Sequence, residues 1–320
     1  MADKKNLVSL VIPAHNEASN IGWFFDELHK FVSNNCPDYK FEVIFVDDGS
    51  RDQSLQHMKK IAAAHDSVRY ISFSRNFGKE AATSAGLQAA QGDAAIMIDA
   101  DGQHPVEFIS KFISEWQEGA DVVIGVRSSN QKEGLIKKYG SKLFYWTLSK
   151  LNENDVTPAA TDFRLVDRRV LNEFNRLTEH NRITRGLLDW LGFKQTFIEF
   201  DAAPRRHGKA TYNHAKLLKL ALNSFVSHST KPLKMIGVLG VLVTFLAALL
   251  GIFILVEEWV VGDPLNLNFT GTALLAVFLS FLTGVTLSSL GLLALYIETI
   301  HSETQNRPLY VVSESNIENI

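Results

Sequence analysis

Over the first two thirds of the chain, short apolar runs alternate with amphipathic stretches. Leu7 to Pro13, Phe41 to Val46, Val68 to Phe73, Ala94 to Ile98 and Asp121 to Gly125 read as strands. Between them, Ser19 to Ser33, Gln53 to His65, Glu80 to Ala90 and Phe108 to Glu118 carry helical patterning. The first of these aligns Ile21, Phe24, Phe25, Leu28 and Phe31 on one side. Strand–helix alternation of this kind predicts an α/β domain with a mostly parallel sheet covered by helices on both faces. In such sheets ligands bind beyond the carboxyl ends of the strands.

After about Ser229 the pattern changes. Met235 to Val256 and Ala273 to Ile297 are long uncharged stretches. Each exceeds the roughly 20 residues a helix needs to cross about 30 Å of hydrocarbon. Lys231 and Lys234 precede the first and Arg307 follows the second, whereas the connecting loop has Glu257, Glu258 and Asp263 but no Lys or Arg. Excess Lys and Arg marks the cytoplasmic side. The expected layout is a cytoplasmic domain over 1–229, a two-helix membrane domain over 230–300 (spans 235–256 and 273–297), and a cytoplasmic tail over 301–320. Two further segments, 135–151 and 215–226, combine Leu and aromatic residues with lysines. They read as amphipathic helices at the bilayer surface.

Composition narrows the field. Among 320 residues with a formal net charge of −3 there is one cysteine, Cys36. The charge gives no reason to expect nucleic acid as a partner, and one cysteine excludes an intrachain disulfide. The N-terminus has no ordered signal-peptide regions. No zinc-protease, P-loop or dinucleotide-binding motif is present.

The residues that carry chemistry sit where strands end. Asp99-Ala-Asp101 closes the fourth strand, with Gln103 and His104 directly after it. Two carboxylates at i and i+2, with an amide oxygen nearby, suit a hard cation such as Mg²⁺ or Mn²⁺. Asp47-Asp48-Gly49-Ser50 ends the second strand, and Pro13-Ala14-His15-Asn16-Glu17 ends the first. Three acidic tips on one edge of one sheet form a candidate site.

Taken together, these runs resemble the inverting glycosyltransferases of family 2 with a GT-A fold. Within them they resemble the polyprenyl-phosphate glycosyltransferases: bacterial undecaprenyl-phosphate glucosyltransferases and dolichol-phosphate mannose synthases. Further matches are Ser74-Arg75-Asn76-Phe77-Gly78-Lys79, Gly125-Val-Arg127, Thr161-Asp162-Phe163-Arg164-Leu165, Arg206-His-Gly208-Lys209-Ala-Thr-Tyr212 and Asn306-Arg307-Pro308-Leu309-Tyr310. The likeness covers nearly the whole chain; His15 stands where many relatives have Tyr.

The resemblance implies that Pro13, His15, Glu17, Asp47 and Asp48 line a nucleotide pocket and that Asp99 lies along the sugar and ribose. Asp101 and Gln103 would bind Mg²⁺ or Mn²⁺ on the diphosphate. Asp162 is a candidate base or acceptor-orienting group. Arg164 is either part of the site or a structural partner. Arg127, with Lys137, Lys138 and Ser141, would hold a lipid phosphate. Arg205, Arg206 and Lys209 would form a loop closing over the diphosphate.

The expected reaction moves a hexose, with inversion, from a nucleotide sugar to polyprenyl phosphate; UDP-glucose is the first choice of donor. A GDP-mannose-dependent synthase and a catalytically silent membrane scaffold are the alternatives. Expected partners are nucleotide sugar, polyprenyl phosphate, the bilayer, a downstream flippase or transferase, and a second copy of the chain in a homo-oligomer. The implied location is the cell inner membrane.

Overall fold

The first strand, β1 (Leu7–Ala14), is buried along nearly its whole length, as a strand covered on both faces must be. Its neighbours are β2 (Lys40–Asp47) and β4 (Ala94–Met97), both parallel to it, and β3 (Val68–Phe73) runs parallel to β2. The structure, a computed structural model, describes residues 6–128, 160–180, 182–201 and 271–317.

Side chains alternate between two cores with the period of a pleated strand. Val8, Leu10, Ile12, Val43, Phe45 and Ile96 face one core. There they meet helices α1 (Ala18–Asn35) and α4 (Phe108–Gln117), with Met58 of α2 (Ser54–Ala64) on the same side. Val11, Ile44, Val46, Ala95 and Met97 face the other core, which is covered by α3 (Lys79–Ala89), α5 (Arg168–Arg176) and α6 (Thr184–Trp190). Fully buried rings such as Phe24 and Phe45 each contribute roughly 1.5–3 kcal/mol of burial. Helix α3 is rich in Ala because it lies close to the sheet. A Cβ at Gly86 would fall 2.3 Å from Val11 Cγ1.

Three strands were not foreseen from the sequence pattern. β6 (Ala160–Asp167) enters antiparallel between β4 and β5 (Val122–Arg127). β7 (Gln195–Phe200) runs parallel to β5 at one edge, and β8 (Val312–Ser315) runs antiparallel to β3 at the other. The order is β7-β5-β6-β4-β1-β2-β3-β8, and four of the seven pairings are parallel. The fifth strand therefore does not lie beside the fourth as a simple series suggests.

The segment read only as a tail supplies β8. Tyr310 stacks on Phe73 with ring centroids 4.8 Å apart, and its hydroxyl donates to Gln88. Asn316 accepts from the Tyr70 backbone N–H and donates to the Val68 carbonyl.

A second unit contains α7 (Gly271–Thr304), one continuous helix of 34 residues. It includes the apolar stretch 273–297. Counting only the side chains that are described, no helix is long and apolar enough to cross a membrane. The expected span 235–256 and the expected surface helices 135–151 and 215–226 lie outside the described residues.

Candidate functional site

The parallel register fixes which tips meet. Ala14 pairs with Asp47, Asp47 with Ser72, and Val11 with Met97, so the ends of β1, β2, β3 and β4 share one edge. β6 starts at that edge because it runs the other way. Met97 pairs with Arg164, so two residues further on Asp99 comes opposite Asp162.

On the β1–β2 side the acids are engaged with backbone. Asp47 is buried and accepts from the Ser50 backbone N–H and the Ser72 hydroxyl. Asp48 accepts from the N–H groups of Phe77 at 2.6 Å and Gly78 at 3.0 Å, which pins the turn before α3. Burial raises the Asp48 carboxyl above its ordinary pKa, and the two N–H groups offset part of that rise. Gly49 (φ 61°) lies under the same turn. A Cβ there would stand 2.3 Å from the Arg75 carbonyl carbon. His15 Nδ1 lies 2.8 Å from the Asp48 carbonyl, and Glu17 bonds the Asn20 side chain. Pro13 pairs with Val46 inside the sheet.

On the β4–β6 side the acids meet side-chain cations. Lys79 Nζ lies 2.7 Å and 2.8 Å from the two carboxylate oxygens of Asp99 and 3.0 Å from Asp162 Oδ2. Burial disfavours the ammonium, but Asp99 and Asp162 outweigh it and hold its pKa above the ordinary lysine value. Burial likewise disfavours the Asp162 carboxylate. Lys79, then Arg185 and Arg164, overcome this and draw its pKa down to about 2. A carboxylate so weakly basic is a poor proton acceptor near neutrality.

The loop after β4 winds tightly. Asp101 is buried and accepts from the Gln103 backbone N–H at 3.0 Å. Gly102 (φ 74°) would drive a Cβ to 2.5 Å from Trp23 Cη2. Gln103 Oε1 accepts from Arg127 Nη2 at 3.1 Å, so the end of β5 reaches the loop at the end of β4. His104 does not point outward with Gln103. It is buried, stacked on Phe163 at 5.0 Å, and its Nδ1 accepts the Asp99 backbone N–H. Burial lowers its pKa and keeps it the neutral acceptor that this bond requires. Arg164, only 1% exposed, pairs with Asp189 at 2.7 Å and donates to the Thr161 carbonyl.

Among the described residues no three His, Cys, Asp or Glu side chains gather to hold a metal ion. Asp101 and the Gln103 amide would offer two oxygens. That suits Mg²⁺ or Mn²⁺, which take most of their ligands from water and substrate phosphates. Gln103 can serve both a cation and Arg127, because a carbonyl oxygen has two lone pairs.

Lys137, Lys138, Ser141, Arg205, Arg206 and Lys209 lie outside the described residues. Lys79 was missed as a site residue. One signal was available: a lysine in the first turn of a helix opposes the macrodipole, and such a local conflict points to a tertiary partner.

Residues 9–174 match the profile of the family described as Glycosyl transferase family 2. The chain is 38% identical over 307 residues to an uncharacterized glycosyltransferase of Synechocystis, covering 96% of this chain and 95% of that one. It is 36% identical over 309 residues to the SfII prophage-derived bactoprenol glucosyl transferase of Shigella flexneri, covering 97% and 98%. Among solved structures, mannosyl-3-phosphoglycerate synthase from Rubrobacter xylanophilus aligns with a TM-score of 0.49 at 18% identity, over 72% of this chain and 75% of that one.

Proposed function

The chain belongs to glycosyl transferase family 2, and on that premise we propose that it transfers glucose from UDP-glucose to the phosphate of a polyprenyl lipid, with inversion. The observation that carries this reading is the hydrogen bond from Arg127 to Gln103. It sets an exposed guanidinium, suited to an acceptor phosphate, against the loop suited to the donor diphosphate. The similarity to bactoprenol glucosyl transferases over nearly the full length favours glucose and a polyprenyl carrier.

The chemistry asks little of a base. A lipid phosphate is already anionic at neutral pH and attacks the anomeric carbon without losing a proton. The low basicity of Asp162 is consistent with that. Asp101 and Gln103 would hold a divalent cation, which when bound supplies Lewis-acid stabilisation of the departing diphosphate. Arg127, with Lys137, Lys138 and Ser141, would bind and orient the acceptor phosphate beside it. Arg205, Arg206 and Lys209 would close over the donor and exclude water. Pro13, His15, Glu17, Asp47 and Asp48 would border the nucleotide.

The membrane is the source of the acceptor. The apolar stretches 235–256 and 273–297 would anchor the enzyme, with both termini cytoplasmic. One feature of the chain bears on sidedness alone: β7 and β8 belong to the same sheet, and α7 lies between them in sequence. Any crossings between those strands must therefore be even in number.

The test uses full-length protein in detergent or nanodiscs with polyprenyl phosphate, Mg²⁺ or Mn²⁺, and UDP-glucose, UDP-N-acetylglucosamine or GDP-mannose. Mass spectrometry reads the lipid product. Polyprenyl-phosphate glucose is the expected product; transfer from GDP-mannose alone, or no lipid-linked sugar at all, overturns the reading.

A further inference from the structure

Resting on the transferase reading above, we propose that Lys79 is a positioning residue that ties Asp99 to Asp162 and presents the two carboxylates together to the hydroxyls of the transferred sugar. Asp99 and Asp162 come from strands running in opposite directions, and the β4–β6 register brings them face to face. Two like charges so placed repel, and one would rotate away or take up a proton. A single ammonium within 3.0 Å of oxygens from both removes the conflict. It leaves an array of acceptors and a donor, the chemistry that sugar hydroxyls need.

The rest of the fold fixes where this ammonium stands. Asp48 pins the Phe77 and Gly78 amides. Gly78 adopts φ 104°, a backbone conformation that leads directly into α3. Gly86 lets the helix lie against Val11. Lys79 is thus held from behind at the first position of α3, against the helix dipole, by a turn that also belongs to the β2 tip. That arrangement couples the β2 and β4 tips through one side chain.

One small cavity adjoins the trio. The cavity lined by Lys79, Asp162, Arg164 and Thr184 measures about 10 Å³, room for about one water. Arg164 Nη2 and Thr184 Oγ1 are buried there and have no hydrogen-bond partner among the described residues. Lys79 and Asp99 are partly exposed, so on this reading a sugar meets the trio from solvent, where the Lys79 spacing decides which hydroxyls are matched.

The experiment compares wild type, Lys79→Met, Lys79→Arg, Asp162→Asn and the Lys79→Met/Asp162→Asn double variant, all full-length. Calorimetry measures affinity for UDP and for UDP-glucose, and for GDP and GDP-mannose if guanosine is the base. Turnover is measured with polyprenyl phosphate. Lys79→Met should leave the nucleoside diphosphate affinity within about threefold and weaken the nucleotide sugar about tenfold. It should lower kcat roughly 100-fold, the scale of a misplaced reacting group. Lys79→Arg should recover most of the loss. The double variant should be no worse than the worse single variant, because the two residues act as one unit. Lys79 is not a positioning residue if Lys79→Met changes neither affinity nor kcat, if both affinities fall together, or if the two substitutions multiply. Wild type that binds nucleotide sugar but glucosylates no lipid defeats the polyprenyl reading alone, and the affinity comparison still decides the role of Lys79.

Discussion

The two acidic regions of the sheet edge, alike in sequence, are built on opposite plans. At the β1–β2 tips Asp47 and Asp48 accept from backbone amides and a buried hydroxyl, so they shape turns. At the β4–β6 tips Asp99 and Asp162 meet an ammonium on a long side chain, and Gln103 meets a guanidinium. A backbone amide cannot leave its place without unfolding a turn. The Lys79 ammonium stays between its two carboxylates, but it and the Arg127 guanidinium carry several N–H groups that a substrate phosphate or hydroxyl can share. The first region is a rigid floor and the second is exchangeable in that sense.

Substitutions should separate the two regions by what they damage. The largest effect is expected on the exchangeable side. Asp101→Asn should lower metal-dependent turnover by about 10³-fold, in line with loss of an electrostatic stabiliser, with the melting temperature little changed. Gly49→Ala should act on the floor. Its Cβ would strike the Arg75 backbone at a positive φ, and a loss of about 2–4 kcal/mol of stability is expected from denaturant titration.

Asp48→Ala comes next. It leaves the Phe77 and Gly78 amides without their acceptor and should cost about 1–3 kcal/mol. If Asp48→Ala instead abolished turnover at unchanged stability, the contrast between the regions would fail. Arg127→Ala should raise KM for the lipid phosphate roughly tenfold, the worth of a charge-assisted bond, and leave donor affinity unchanged.

The smallest effect is in pH dependence. Asp162 has a depressed folded pKa of about 2. Its stabilising contribution is present above the ordinary carboxylate value and is lost as pH falls from about 4 towards 2. Asp162→Asn should flatten stability in that window, measured by thermal melts, and lower it by a constant amount above pH about 6, the two proteins converging as pH falls towards 2.

Much of the frame was legible because burial leaves a periodic trace. Strands at 7–13, 41–46, 68–73 and 94–98, with the helices between them, follow from apolar spacing, and their ends differ from the structure by a residue or two. The acidic loop after β4 was legible too, since Asp99, Asp101 and Gln103 are near neighbours in sequence. β6, β7 and β8 were not. β6 carries Thr161, Asp162 and Arg164 among its apolar residues, and β7 is a half-exposed edge. β8 reads Val-Ser-Glu-Ser, without a core pattern of its own.

What the sequence by itself determined is the class of the chain. The α/β alternation, the acidic strand ends and the long apolar segments are local properties, written in neighbouring residues. What only the tertiary structure decided is which of those residues act on one another. Lys79 meets Asp99 and Asp162 across gaps of 20 and 83 residues, and Tyr310 meets Phe73 from the far end of the chain. The reason is physical: an ion pair or a ring stack has no sequence period. Its partners are chosen by strand order and register: β6 against β4 brings Asp162 to Asp99, and β8 against β3 brings Tyr310 to Phe73.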